Sequence, residues 1–245
     1  MNADPATQLR LLDLQAADTA LSQLAHRRHT LPEIAAIAAR AKSAAADRAD
    51  VIDAQTSVAD IELEQRRLEN DVDTVRTRAA KDEGRLQAGG LPSRELESLQ
   101  HEITSLARRQ STLEDELLDV MERAEQAESA LTDATSRLEA VVADQRDLEA
   151  KRDVSFAEID EAIAKRTPER AGIAATIPDD LLAMYEKARA HGGNGAALLQ
   201  QRRCQGCRID LSGSDLSAVR KAEPDAVVRC DNCRAILVRT AESGL

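Results

Sequence analysis

Four cysteines stand in two C-x-x-C pairs, Cys204-Gln205-Gly206-Cys207 and Cys230-Asp231-Asn232-Cys233, separated by 22 residues, and the 245-residue chain has no others. Each pair can present two thiolates from one tight knuckle. Two knuckles together make the tetrahedral four-sulfur cage that suits Zn²⁺. Disulfides would need an oxidising compartment, and dithiol redox chemistry a strand-to-helix setting that these flanks lack. The spacing therefore predicts one structural zinc ion held by Cys204, Cys207, Cys230 and Cys233. An iron site of four thiolates would use the same ligands, and spacing alone does not tell the two metals apart. With all four positions filled by sulfur, no site remains for a reactive water, so the metal is not expected to serve an enzyme.

Arg202, Arg203, Arg208, Arg229 and Arg234 gather around the knuckles. From Ala196 to Arg239 there are 8 Lys and Arg against 5 Asp and Glu. These arginines are candidates for binding nucleic acid or a protein partner, although no aromatic residue lies nearby to stack on a base. Their plainer role is to offset thiolate charge and solvate the surface.

The elements that must carry this centre read as follows. Strand-like flanks at Ala197 to Arg203, Val227 to Arg229 and Ile236 to Arg239 predict a zinc ribbon. A short helix is signalled by Ile177-Pro178-Asp179-Asp180 and ends at the glycine run beginning at Gly192; Ala196 to Gln200 follows as a strand. Upstream, Leu96, Leu99, Ile103, Leu106, Gln110, Leu113, Leu117, Val120, Ala124, Ala127, Leu131, Ala134, Leu138, Val141, Gln145 and Leu148 recur at alternating steps of three and four. That is a heptad seam on one uninterrupted helix, which a second helix must cover. The cover is supplied by Val51, Ala54, Val58, Ile61, Leu68, Val72, Val75, Ala79 and Leu86. Their frame slips by about three residues near Val51 relative to Ile34, Ile37, Ala41 and Ala44.

Gln87-Ala88-Gly89-Gly90-Leu91-Pro92-Ser93 punctuates the two long helices, with Ser93 expected to cap the second. A turn this short makes them antiparallel, with a shared arm on the order of 80 Å long. A further helix from about Thr7 to Leu31 should break or kink at Pro32. The fold class expected is mainly α: a long antiparallel coiled-coil hairpin over residues 1–167, kinked near Pro32 and turning near 88–93. A linker helix and C4 zinc ribbon follow over 168–245, divided from the hairpin at Thr167-Pro168.

Composition agrees. One Phe, one Tyr and no Trp are too few for a large globular core, and the 31% of charged residues suits long helices. Residues 1–167 carry 22 Lys and Arg against 34 Asp and Glu, which disfavours a phosphate-binding role for the arm. The first residues lack a basic start and an apolar run, and no stretch is long and apolar enough to span a bilayer, so the expected location is the cytoplasm. His26 and His29 share a helix face without completing a ligand set, and the arm carboxylates form a solvated face of i,i+4 pairs.

Three segments together resemble a bacterial family in which a long coiled-coil hairpin precedes a C4-type zinc ribbon. Leu91 to Ile103 is similar to its hairpin tip, Ile177 to Lys187 to its linker helix, and Cys230 to Val238 to its closing knuckle and strand. The chain departs at Arg234, where such knuckles usually have Gly; a positive φ there would strain the Arg by about 1 kcal/mol. The resemblance implies a non-enzymatic adaptor that works through protein partners, with members linked to flagellar or secretion regulation and in some cases to RNA. No membrane and no small-molecule substrate are expected. The leading reading is thus a scaffold for protein–protein interaction, and the alternative a nucleic-acid-binding regulator acting through the ribbon arginines. No nucleophile–base pair, phosphate loop or open metal site is visible.

Overall fold

The computed structural model describes all residues from Met1 to Leu245. Helix α1 covers Pro5–His29, α2 Pro32–Ala88 and α3 Ser93–Ala174, and α4 follows at Asp179–Gly192. Strands β1 (Ala196–Gln200) and β2 (Arg203–Cys204), helix α5 (Gly213–Lys221), strands β3 (Val228–Arg229) and β4 (Ile236–Val238) and a 3₁₀ turn at Ala241–Ser243 complete the chain. Two compact units result, one of Glu33–Ala150 and one of Met1–Pro32 with Lys151–Leu245.

In the Glu33–Ala150 unit, α2 and the first part of α3 form the expected antiparallel hairpin. Leu99, Leu113, Val120, Ala127 and Ala134 are buried on α3, and every member of the α3 seam is at least half-buried. Buried Ala44, Ile61 and Val72 answer from α2. Interhelical ion pairs descend in antiparallel order: Arg40 with Asp144, Asp50 with Arg137 (3.7 Å), Glu64 with Arg123 (3.1 Å) and Arg76 with Glu114 (2.5 Å).

The frame slip near Val51 does not occur. From buried Ala44, partly buried residues continue at alternating steps of three and four through Asp47, Val51, Ala54 and Val58, while Ile34 and Ala41 are exposed. A polar residue at a seam position, Asp47, made the pattern look interrupted. Asp82 sits in the same seam, 6% exposed and 3.6 Å from Arg85. At the turn, Ser93 opens α3 without capping it, and the amides of Glu95 and Leu96 donate to the Pro92 carbonyl.

In the other unit, the expected stop at Thr167-Pro168 is overridden, and α3 continues through Pro168 to Ala174. Proline inside a helix costs about 3 kcal/mol. The turn beyond it offsets that cost: Arg170 is held by Asp18 and Glu186, and Ile173 and Ala174 enter a core with Leu11, Leu14, Leu181, Tyr185, Ile236 and Val238. A boundary at residue 167 therefore falls inside a helix and inside a compact unit.

The sheet order is β2-β1-β4-β3, with β1 and β4 parallel and both outer pairs antiparallel. Its edge is extended by the first residues of the chain. Ala3 N–H donates to the Asp225 carbonyl (2.7 Å) and Val227 N–H to that of Met1 (3.1 Å), an antiparallel bridge of Asn2 with Ala226. The Gln15 side-chain oxygen of α1 accepts from the amides of Gly195 (2.6 Å) and Ala196 (3.2 Å), at the start of β1.

Candidate metal centre

Both knuckles are built by the same backbone pattern. In the first, Arg208 N–H donates to the Cys204 carbonyl (2.7 Å) and Cys204 N–H to that of Ile209 (3.1 Å). In the second, Arg234 N–H donates to the Cys230 carbonyl (2.9 Å) and Cys230 N–H to that of Ala235 (2.9 Å). A loop closed this tightly after C-x-x-C needs a left-handed residue immediately beyond the second cysteine. Arg208 (φ 60°) and Arg234 (φ 65°) occupy those two positions. The departure from Gly at Arg234 is therefore a real strain, of about 1 kcal/mol for an L-residue in this region. The β1–β2 hairpin adds a two-residue turn with positive φ at Gln201 (46°) and Arg202 (63°), the geometry usually given to Asn-Gly. It is held by Gln201 N–H to the Glu242 carbonyl (2.9 Å) and Arg202 N–H to that of Ser243 (2.8 Å).

The four sulfurs lie within 4.8 Å of one another. Sγ to Sγ is 3.8 Å for Cys204–Cys233 and likewise for Cys207–Cys230. A disulfide would require about 2.05 Å. A tetrahedron with metal–sulfur bonds of about 2.3 Å has edges of about 3.8 Å, so these two edges have the length that zinc requires. Cys204 and Cys230 are buried among Ala197, Ala235 and Leu237. Burial pushes the Cys204 thiol well above its ordinary range despite amide hydrogen bonds from Cys207 and Gly206. A divalent cation at the centre of the cage reverses that penalty by holding the thiolates. The donor set, its spacing and its dimensions agree on one structural zinc, with coordination closed to water.

The surroundings sort the five ribbon arginines. Arg203 pairs with Asp210 (2.8 Å), and Arg202 Nε donates to the Gly244 carbonyl (3.0 Å). Arg208 is exposed on a polar hollow with Gln200, Gln205 and Asp210. Arg229 and Arg234 instead meet Lys187 and His191 from α4. Arg203 and Arg208 thus line one hollow, and Arg229 and Arg234 another. Lys187 and His191 went unnoticed in the sequence, where only their i,i+4 spacing on the linker helix marked them. Arg239 holds the loop between α5 and β3, donating to the carbonyls of Val219, Ala222, Glu223, Pro224 and Ala226. Helix α5 fills part of the stretch between the knuckles.

A second polar centre lies where α1, α3 and α4 meet. Asp18, 6% exposed, accepts from Tyr185 Oη (2.7 Å), Arg170 Nε (3.0 Å) and Arg189 Nη1 (2.6 Å). Burial, reinforced by the hydrogen bond to Asp18, raises the Tyr185 phenol well above its ordinary range. Gly195 lets that ring approach: a Cβ there would lie 2.4 Å from it. All charges in this cluster are matched, and its role is to join the helices.

Comparison with known proteins agrees with this architecture. Residues 14–193 match the model of the CT398-like coiled coil hairpin domain, and residues 203–237 that of the C4-type zinc ribbon domain. The chain is 38% identical over 241 residues to the uncharacterized protein Rv2229c of Mycobacterium tuberculosis, covering 98% of each. It is 30% identical over 221 residues to the uncharacterized protein ML1638 of Mycobacterium leprae, covering 89% of this chain and 94% of that one. A solved structure from Mycobacterium smegmatis superposes with a TM-score of 0.87 at 31% identity, covering 98% of this chain and all of the other. CT398 from Chlamydia trachomatis shares the fold, with a TM-score of 0.70 at 20% identity over 95% of this chain and 97% of that one. A hairpin of two long helices, a linker helix and a ribbon closed on four cysteines make this chain a member of the CT398-like coiled-coil hairpin family that carries a C4-type zinc ribbon.

Proposed function

We propose that the chain is a non-enzymatic adaptor of the cytoplasm, which binds one protein through its coiled-coil arm and another through its ribbon. The observation that carries this reading is that both modules satisfy their own chemistry. The seam of the Glu33–Ala150 unit is buried by the chain itself, and the four sulfurs fill every position on zinc. What is left to act is surface. On the arm that surface includes Ile52, Leu63 and Leu118, each about 60% exposed outside the seam. No helix is long and apolar enough to cross a membrane, which supports a reading without a membrane partner.

The test is capture from native cytosol by the full-length, zinc-loaded chain, with partners identified after cross-linking. A specific partner lost from a Leu63→Glu, Leu118→Glu variant of unchanged helix content supports the adaptor. Absence of any specific partner in stoichiometric yield overturns it. The nucleic-acid reading draws on the unpaired side chains of Arg208, Arg229 and Arg234. It lacks a stacking platform: Tyr185 is fully buried, and Phe156 lies beneath Arg28, whose guanidinium carbon is 4.2 Å from the ring centroid.

A further inference from the structure

We infer that the groove between α4 and the second zinc knuckle is a docking site for an acidic peptide segment of a protein partner. This inference rests on the adaptor reading and names the chemistry of one partner. The groove has a volume of about 420 Å³. Lys187 and His191 edge it from α4, Arg229 and Arg234 edge it from either side of the second cysteine pair, and Met184 and Ala188 supply its apolar lining. Its two walls are fixed against each other. The end of α4 approaches the knuckle so closely that a Cβ on Gly192 would stand 2.8 Å from the Cys233 carbonyl oxygen.

The charge in this groove is unspent. Nearby arginines are consumed by the fold: Arg189 by Asp18, Arg203 by Asp210 and Arg239 by the loop carbonyls. The side chains of Lys187, His191, Arg229 and Arg234 make no hydrogen bond or ion pair within the chain, and no carboxylate lines the groove. Three permanent cations line the groove and outweigh the net charge of -2 left by four thiolates on Zn²⁺ in the adjoining knuckles, in a protein whose net charge is -11. Like charges brought together raise the local potential and favour whatever anion can enter.

Three features choose carboxylates on a peptide over a nucleic acid. The groove has no aromatic side chain on which a base could stack. The strongly negative chain repels a long polyanion, whereas a short acidic segment feels mainly the local cations. The thioether of Met184 and the exposed methyl of Ala190 offer adaptable apolar contact to residues between the carboxylates.

The experiment is fluorescence anisotropy on the full-length zinc-loaded chain with a fluorescein-labelled peptide of four Glu-Glu-Leu repeats. A Lys-Lys-Leu peptide of equal length and a labelled oligouridylate serve as comparison probes. The acidic peptide should bind and weaken as salt rises from about 50 to 200 mM, and the basic one should not bind. The triple variant Lys187→Gln, Arg229→Gln, Arg234→Gly should bind about tenfold or more weakly, at unchanged zinc content. Arg208→Gln, at the other knuckle, should stay within about twofold of the unaltered chain. Equal affinity of the triple variant, or no binding of the acidic peptide at low salt, overturns the site. Tighter binding of the oligouridylate with the same sensitivity to the triple variant also overturns it and assigns the groove to nucleic acid. Because the probe replaces any native partner, failure to capture a partner from cytosol bears on the adaptor reading alone.

Discussion

Arg208 and Arg234 hold a left-handed backbone that glycine would adopt without strain. Replacing either by Gly should stabilise the zinc-loaded chain by up to about 1 kcal/mol, reduced by the larger unfolded-state entropy of glycine. Thermal unfolding should show a rise of a few degrees at most; a fall would mean that the arginine side chain contributes more than its backbone costs. Tyr185 permits a direct titration, because the chain has one Tyr and no Trp. Its phenol is raised above the ordinary value of 10.0 by burial and by the Asp18 hydrogen bond. Above pH 10 the unfolded chain therefore gives up a proton that the folded one keeps, and stability falls as pH rises through that window. Phenolate absorbance should appear only together with unfolding, and Tyr185→Phe should lose this contribution to the alkaline instability. Phenolate formation near pH 10 in a chain with intact helix would contradict the burial described.

Helices α1, α3 and α4 are tied by Asp18, an acceptor for three donors from the other two helices. Asp18→Ala should cost about 2 to 3 kcal/mol, below the range for a fully buried network because Arg170 and Arg189 keep some solvent. Urea denaturation measures it. A cost under about 0.5 kcal/mol would show that water replaces the carboxylate freely. The same tie explains how α3 tolerates Pro168: the proline weakens the turn before it, and the turn after it carries Arg170 into the cluster.

At the scale of the whole molecule, zinc should stabilise more than the ribbon. The strand β4 residues Ile236 and Val238 share a core with Leu11 and Leu14 of α1 and with Tyr185 of α4, and Met1 to Ala3 pair with the ribbon edge. Structural zinc contributes on the order of 10 kcal/mol in small domains. Chelation, or Cys204→Ser, should release the metal and remove amide exchange protection from 196–245, with protection also lowered across 1–32 and 151–192. The 33–150 hairpin, which contains no cysteine and buries its own seam, should keep its protection and most of its helical signal. Retained stoichiometric zinc in the Cys204→Ser variant would refute the four-ligand centre. Unchanged protection in 1–32 would show that α1 is independent of the metal.

The four-thiolate centre, the hairpin and the place of its turn are legible in the sequence alone. Each depends on short-range spacing: two C-x-x-C pairs, a three-four alternation, and two glycines with a proline between long periodic runs. The strain at Arg234 was implied by the family resemblance, which puts Gly at that position, and holds because φ there is positive. The tertiary structure places α1 with the ribbon, carries α3 through Pro168, and keeps the frame near Val51 continuous through Asp47. It also decided that Arg229 and Arg234 meet Lys187 and His191, while Arg203 is spent on Asp210. The first two outcomes depend on contacts such as Asp18 with Arg170 and Gln15 with Gly195, between residues more than 150 apart in the chain. Separations of that length leave no period in the sequence, and burial at the contact outweighs the local propensities that proline and aspartate express.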